Sequence, residues 1–105
     1  MAFRIVLATL AAVSLFGLPA GAQDHGVRPA GGLVPDAETA IAIAVAVWGP
    51  IYGAERIRRQ RPYVATLRDG RWTVQGSLPR AALGGVAIAV IAREDARVLR
   101  VSHGR

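Results

Sequence analysis

Between Val34 and Gly53 the chain carries a long apolar run in which Ile41, Ile43, Val45 and Val47 alternate with alanine. Strict alternation is the period of a half-buried strand, yet three features of the run predict a helix. Pro35 and Asp36 form a start signal, because proline suits a first helical turn and Asp or Thr oxygens accept its free N–H groups. Asp36 and Glu38 place negative charge at the positive end of the helix dipole. Alanine is the best helix former and a poor strand former. Wound as a helix, Ile41, Ala44, Val45 and Trp48 make one stripe that Ile43 and Val47 widen. No charge occurs from Thr39 to Tyr52, so burial is expected around most of the circumference. Gly49-Pro50 should kink this helix or open a second short one, and Gly53 should end it.

Past Pro62 the period changes to two. Tyr63–Arg68 and Arg71–Gly76 flank Asp69-Gly70, a two-residue hairpin turn. Closing on that turn pairs Leu67 with Trp72, Ala65 with Val74 and Tyr63 with Gly76 on one apolar face. The other face pairs Thr66 with Thr73 and Val64 with Gln75, and sets Arg68 against Arg71. Ser77–Gly85 reads as a loop. Val86–Ala92 is a third strand, its larger side chains on the Val86, Ile88, Val90 face. After a turn at Arg93–Ala96 comes a last strand, Arg97–His103, with Leu99, Val101 and His103 on one face and Val98, Arg100 and Ser102 on the other. One long N-terminal helix packed on the concave face of a curved four-stranded antiparallel sheet is an α+β arrangement, a truncated cone-like fold.

The first 22 residues stand apart. Met1–Arg4 is a short basic start, Ile5–Leu18 an apolar run, and Ala20-Gly21-Ala22 a small-x-small cleavage site. This is the pattern of a secretory signal peptide cleaved after Ala22; the apolar run is short for a membrane anchor and ends in Pro19 and Gly21. Gln23–Leu33 then reads as a flexible mature N-terminus, and 34–105 as the folded domain. From Gln23 onward the chain has 12 Arg, no Lys and seven carboxylates, net +5, and no cysteine. Without disulfides a domain this small depends on packing one helix against a sheet. Export argues against nucleic acid as the partner of this charge and favours an acidic protein or the anionic membrane and wall surface; the acidic protein is the expected partner. No stable membrane insertion is expected after cleavage.

Charge concentrates between Ala54 and Pro62, where Arg56, Arg58, Arg59 and Arg61 could form a recognition patch. Glu55 could pair with Arg58 or Arg59 if a helical turn forms. Arg68 and Arg71 at the hairpin tip extend the candidate set. Catalytic patterns are missing: two distant histidines and no cysteine exclude the usual zinc constellations, and no nucleophile elbow or phosphate loop occurs. The carboxylates fall at caps, connectors and turns, so no catalytic residue, metal or cofactor is expected. Tyr52, Tyr63, Trp72 and His103 could line a cleft between helix and sheet if they are not simply core.

The ordered set Val34-Pro35-Asp36, Thr39-Ala40, Ala46-Val47-Trp48, Pro50-Ile51-Tyr52-Gly53 and Gln60-Arg61-Pro62-Tyr63 continues through Trp72, Val74 and Gly76, Leu78-Pro79 and Gly84-Gly85-Val86. It closes on Val98-Leu99, Val101 and His103-Gly104. From Val34 onward this order resembles the bacterial immunity proteins with a nuclear-transport-factor-2-like fold, associated with polymorphic toxin systems. The resemblance implies a helix cradled by a curved sheet and a protein that works by binding and blocking a toxin. The third strand departs from the family pattern, being apolar where a polar or acidic one is usual, and Ala96 stands where a turn glycine would help. The expected function is therefore a non-catalytic, exported immunity protein that neutralises a cognate toxin in the envelope. The alternative is a small periplasmic ligand-binding or isomerase-like cone domain using the Tyr52, Tyr63, Trp72, His103 cleft.

Overall fold

Asp36 opens helix α1 (Ala37–Tyr52) as its N-cap, in extended backbone, its carboxylate accepting from the Thr39 backbone N–H at 2.8 Å and the Thr39 hydroxyl at 2.7 Å. The computed structural model describes residues 25–79 and 84–104. The expected leader, its cleavage point after Ala22 and part of the Ser77–Gly85 loop lie outside them. Helix α1 runs through Gly49 and Pro50 without a break and stops at Gly53, whose φ of 98° is open to glycine. Pro50 is exposed and, having no N–H, donates nothing to the Ala46 carbonyl one turn back; Ala46 lies on the same exposed row. A short helix α2 (Ala54–Arg58) follows.

Strands β1 (Val64–Arg68), β2 (Arg71–Gln75), β3 (Val86–Ala92) and β4 (Val98–Gly104) form one antiparallel meander in the order β1-β2-β3-β4. The β1–β2 register is the one that the hairpin turn predicts, with Leu67 opposite Trp72, Ala65 opposite Val74 and Arg68 opposite Arg71. Helix α1 packs on β1, β2 and β3. The fold is thus one helix on one face of an open four-stranded sheet.

The core lies in that single layer. Ala40, Ala44 and Trp48 are the buried row of α1, flanked by partly buried Ile41, Ile43, Val45 and Tyr52. Glu38, Ala42, Ala46 and Pro50 form an exposed row, so the helix is covered on one side and not around most of its circumference. Among the described residues only the sheet and the short stretch after Gly53 stand against it, and exposing alanine costs little. Two alanines and one large residue face the helix from β3: Ala87, Ala89 and Ile91 are buried, while Val86, Ile88 and Val90 are turned to the uncovered side. Volume decides this. Two indoles, Trp48 and Trp72, fill the layer, and close packing leaves room opposite them for alanine. Trp48 is fully buried and its Nε1–H donates to the Ile88 carbonyl at 3.3 Å.

Two expectations about strand faces need correction. Leu67 faces the same side as Trp72 but is 40% exposed, because it stands at the tip of an edge strand beyond the cover of the helix. In β4 a register shift sets Val98 opposite Ile91 and Arg100 opposite Val90, leaving Leu99 unpaired and exposed rather than inside with Val101. Such a bulge flips the alternation for the residues before it. Ala96, in the turn before β4, has φ 67°, the left-handed region where glycine would relieve strain.

The N-terminal stretch is not free over its whole length. Leu33 and Val34 donate their N–H groups to the Glu94 and Arg93 carbonyls at 3.0 and 2.9 Å, and Val34 is fully buried. Gly32, at φ 85°, is pressed so closely against the Arg93 carbonyl that a side chain there would collide with backbone. The Trp72 indole completes the anchor, its Nε1–H donating to the Val34 carbonyl at 2.8 Å.

The N-cap makes an acid-sensitive contribution. Its bond from the Thr39 hydroxyl, and then that from the Thr39 backbone, lower the Asp36 pKa below the usual carboxylate value. A carboxylate depressed in the folded state stabilises above its unfolded pKa, and that contribution is lost as pH falls through the folded one. Asp36→Asn, which keeps a capping oxygen without the charge, should flatten the acid limb of stability. Denaturation midpoints measured from neutral to acidic pH check this, and an unchanged slope would contradict it.

Candidate functional site

Helix α2 exists because Gly53 releases the chain from α1 and Ala54–Arg58 winds one further turn. Glu55 in that turn pairs with Arg58 and, at 3.8 Å, with Arg59. The hydrogen bond from Arg58, followed by its charge, lowers the Glu55 pKa, and the same bond raises that of Arg58. All three groups are solvent-exposed, so these pairs fix side-chain positions more than they stabilise. Arg61 closes the turn, its Nε–H donating to the Arg58 carbonyl at 3.1 Å. Arg56 is exposed and has no carboxylate within ion-pair distance among the described residues. Four arginines against one glutamate leave this corner with an excess of three positive charges.

Beside the arginines lies a slot of about 280 Å³ between the C-terminal half of α1, α2 and the start of β1. Val45, Gly49, Ala54, Ile57 and Tyr63 line it, and Arg58 and Arg61 stand at its rim. Tyr63 is held on two sides: its ring lies 5.8 Å from the Trp48 ring, and its hydroxyl donates to the Ile57 carbonyl at 2.8 Å.

Arg68 and Arg71 are elsewhere. They oppose each other at the β1–β2 tip, the other end of β1, about 14 Å of strand away at 3.4 Å per residue. Neither has a carboxylate within ion-pair distance among the described residues. The six candidate arginines therefore form two surfaces and not one.

The four residues of the expected cleft do not come together. Tyr52 and His103 touch, with ring centroids 5.1 Å apart. Tyr63 is turned toward Trp48 and Ile57 instead. Trp72 is buried at the opposite end of the core against Val34. Among the described residues no group of His, Asp and Glu is placed to hold a metal ion. The two carboxylates with displaced pKa, Asp36 and Glu55, are exposed and lowered. A general acid working near neutral pH needs the opposite shift.

Sequence reasoning missed Gln60. Its side chain is buried, its Oε1 accepting from the Ala87 N–H at 2.8 Å and its Nε2 lying 3.1 Å from His103 Nε2. With Oε1 committed to an N–H donor, Nε2 is the donating amide, so His103 Nε2 accepts and the ring carries its proton on Nδ1. The Ser77 N–H reaches the Gln60 carbonyl at 2.7 Å. Through its side chain and its backbone carbonyl this one residue ties the turn after α2 to β3, β4 and the loop after β2. No pattern marks a lone glutamine between two arginines as buried.

One helix on an open four-stranded meander, with a basic corner at α2, defines a small α+β domain. More particularly, the chain belongs to the NTF2 fold immunity protein family, whose model matches residues 39–105. Comparison with curated proteins and with solved structures gives no match.

Proposed function

We propose that this protein is an exported immunity protein that binds and neutralises a cognate toxin in the cell envelope, acting by contact and not by catalysis. Family membership supports the toxin partner. The observation that carries the binding mode is the basic corner at α2, where four arginines surround a single glutamate. Clustered like charges repel one another, and an acidic partner relieves that cost and speeds association. Arginine is also the cation best shaped for paired contacts to carboxylates. The partner surface is therefore acidic, and its binding weakens as salt rises.

Co-expression with a candidate toxin, sought first among the neighbouring genes, tests this directly. Changing Arg58, Arg59 and Arg61 together to alanine should abolish protection while circular dichroism and melting remain those of the wild type. Full protection by the folded triple variant would remove the α2 corner from the interface. The envelope location is tested separately. Mass spectrometry of the periplasmic protein should find Gln23 as its first residue, and an intact Met1 terminus in the cytoplasm would defeat the export proposal.

A further inference from the structure

The slot at α2 is open in a place where the fold does not need it open. Gly49 lies inside α1 with helical neighbours on both sides, and a Cβ added there would meet nothing within 4 Å. A glycine within a helix costs about 0.5–1 kcal/mol relative to alanine. The missing Cβ does ease the fit of the Pro50 ring to the residue before it. Nothing in that local relief requires the space beyond, which Val45, Ala54, Ile57 and Tyr63 leave unfilled. The lining is mainly apolar carbon, and the two polar ends above it are both cationic.

We infer that this slot receives one aliphatic side chain of the toxin, standing next to a toxin carboxylate that Arg58 and Arg61 hold. The inference rests on the toxin-binding reading above and names the contact within it. Family membership, not size, argues for a protein side chain as the occupant, since at about 280 Å³ the slot sits at the lower edge of the roughly 300–1,000 Å³ that small-molecule sites span. Charge argues for the neighbouring carboxylate. Arg61 uses Nε on the Arg58 carbonyl, which leaves its terminal nitrogens for an incoming anion. Arg58 shares one nitrogen with Glu55 and keeps further donors. An aliphatic anchor in a pocket with a polar rim, beside arginines that hold a carboxylate, is one way to build the energetic centre of a protein interface.

The test fills the slot without touching an arginine. Gly49→Leu places a side chain in the empty space, and Gly49→Ala is its control, since both carry the same Cβ ahead of Pro50. Ala54→Leu fills the slot from the exposed start of α2, so the test survives if one variant folds poorly. Binding of an inactivated form of the toxin that the wild type protects against in co-expression is measured for each folded variant. Losing a buried leucine-sized contact should weaken binding about tenfold to a hundredfold for the two leucine variants, while Gly49→Ala stays near wild type. N-acetyl-leucine, which joins an aliphatic side chain to a carboxylate, serves as a small probe. In the wild type it should shift the amide resonances of Gly49, Ala54 and Tyr63, and in Gly49→Leu it should not. Wild-type affinity in both leucine variants, with affinity lost in the arginine triple variant, overturns the slot and leaves the toxin reading standing. Wild-type affinity in all of them moves the contact to the uncovered sheet face and overturns both the slot and the basic corner.

Discussion

Trp72→Ala should unfold most of this domain at room temperature. The indole is 7% exposed and packs in the same core as Trp48, Val74 and Ile91. Truncating a buried tryptophan to alanine costs about 3–5 kcal/mol, against a total stability of about 5 kcal/mol for a domain at the small end. Two losses combine here. The cavity is one; the other is the Val34 carbonyl, which loses the donor that holds the N-terminal segment down. Trp72→Phe separates them, since it keeps most of the ring volume and removes only Nε1–H, at about 1–3 kcal/mol for a buried acceptor left unmatched. Urea denaturation of both variants checks the ordering, with the alanine variant largely unfolded without denaturant and the phenylalanine variant folded but weakened. Wild-type melting of Trp72→Ala would show that the anchor and the core beneath it contribute little.

Gln60→Ala comes next in size. It strands the Ala87 N–H and the His103 Nε2, and the space beside Gly76 that the glutamine side chain occupies is emptied. The buried Ala87 N–H left without a hydrogen bond costs about 1–3 kcal/mol, and the half-buried His103 nitrogen costs less. Gln60→Leu restores volume without restoring either bond, so the gap between the two variants measures packing and the remainder measures hydrogen bonding. Amide exchange at Ala87 reads the same event locally: its protection should collapse in both variants, more than that of Ala89. Equal protection in wild type and Gln60→Leu would assign the cost to packing alone.

The parts of the fold that were legible in the sequence are those fixed by neighbours in the chain. Asp69-Gly70 sets the β1–β2 register through the geometry of its own turn, and Asp36 marks the start of α1 through bonds to a residue three positions on. The direction in which β3 faces was not legible, because Val86–Ala92 is apolar on both sides and only the volume of Trp48 and Trp72 chooses alanine for the inside. The β4 bulge at Leu99 likewise leaves no trace in an alternating pattern. For the candidate site, the arginine count was visible and the arrangement was not. Arg68 and Arg71 are close in sequence to Arg61 but lie at the far end of a strand. The slot needs Gly49 and Tyr63, fourteen positions apart in the chain, to face one another across a helix end. Gln60 was hidden by its neighbours, since a polar residue in a charged run reads as solvated.

The lashing of Gly32–Val34 to the turn at Arg93 and Glu94 also sets an order in time. Its two backbone bonds join points some sixty residues apart, so the segment that begins the domain cannot lock until nearly the last strand has been synthesised. Contacts of such long range are slow to form. During synthesis the helix and the first hairpin can exist only as loose pieces, with the floor of the core, Ala87, Ala89 and Ile91, still to come. A chain that closes so late stays unlocked for almost as long as it is being made, its first and last segments meeting only at the end.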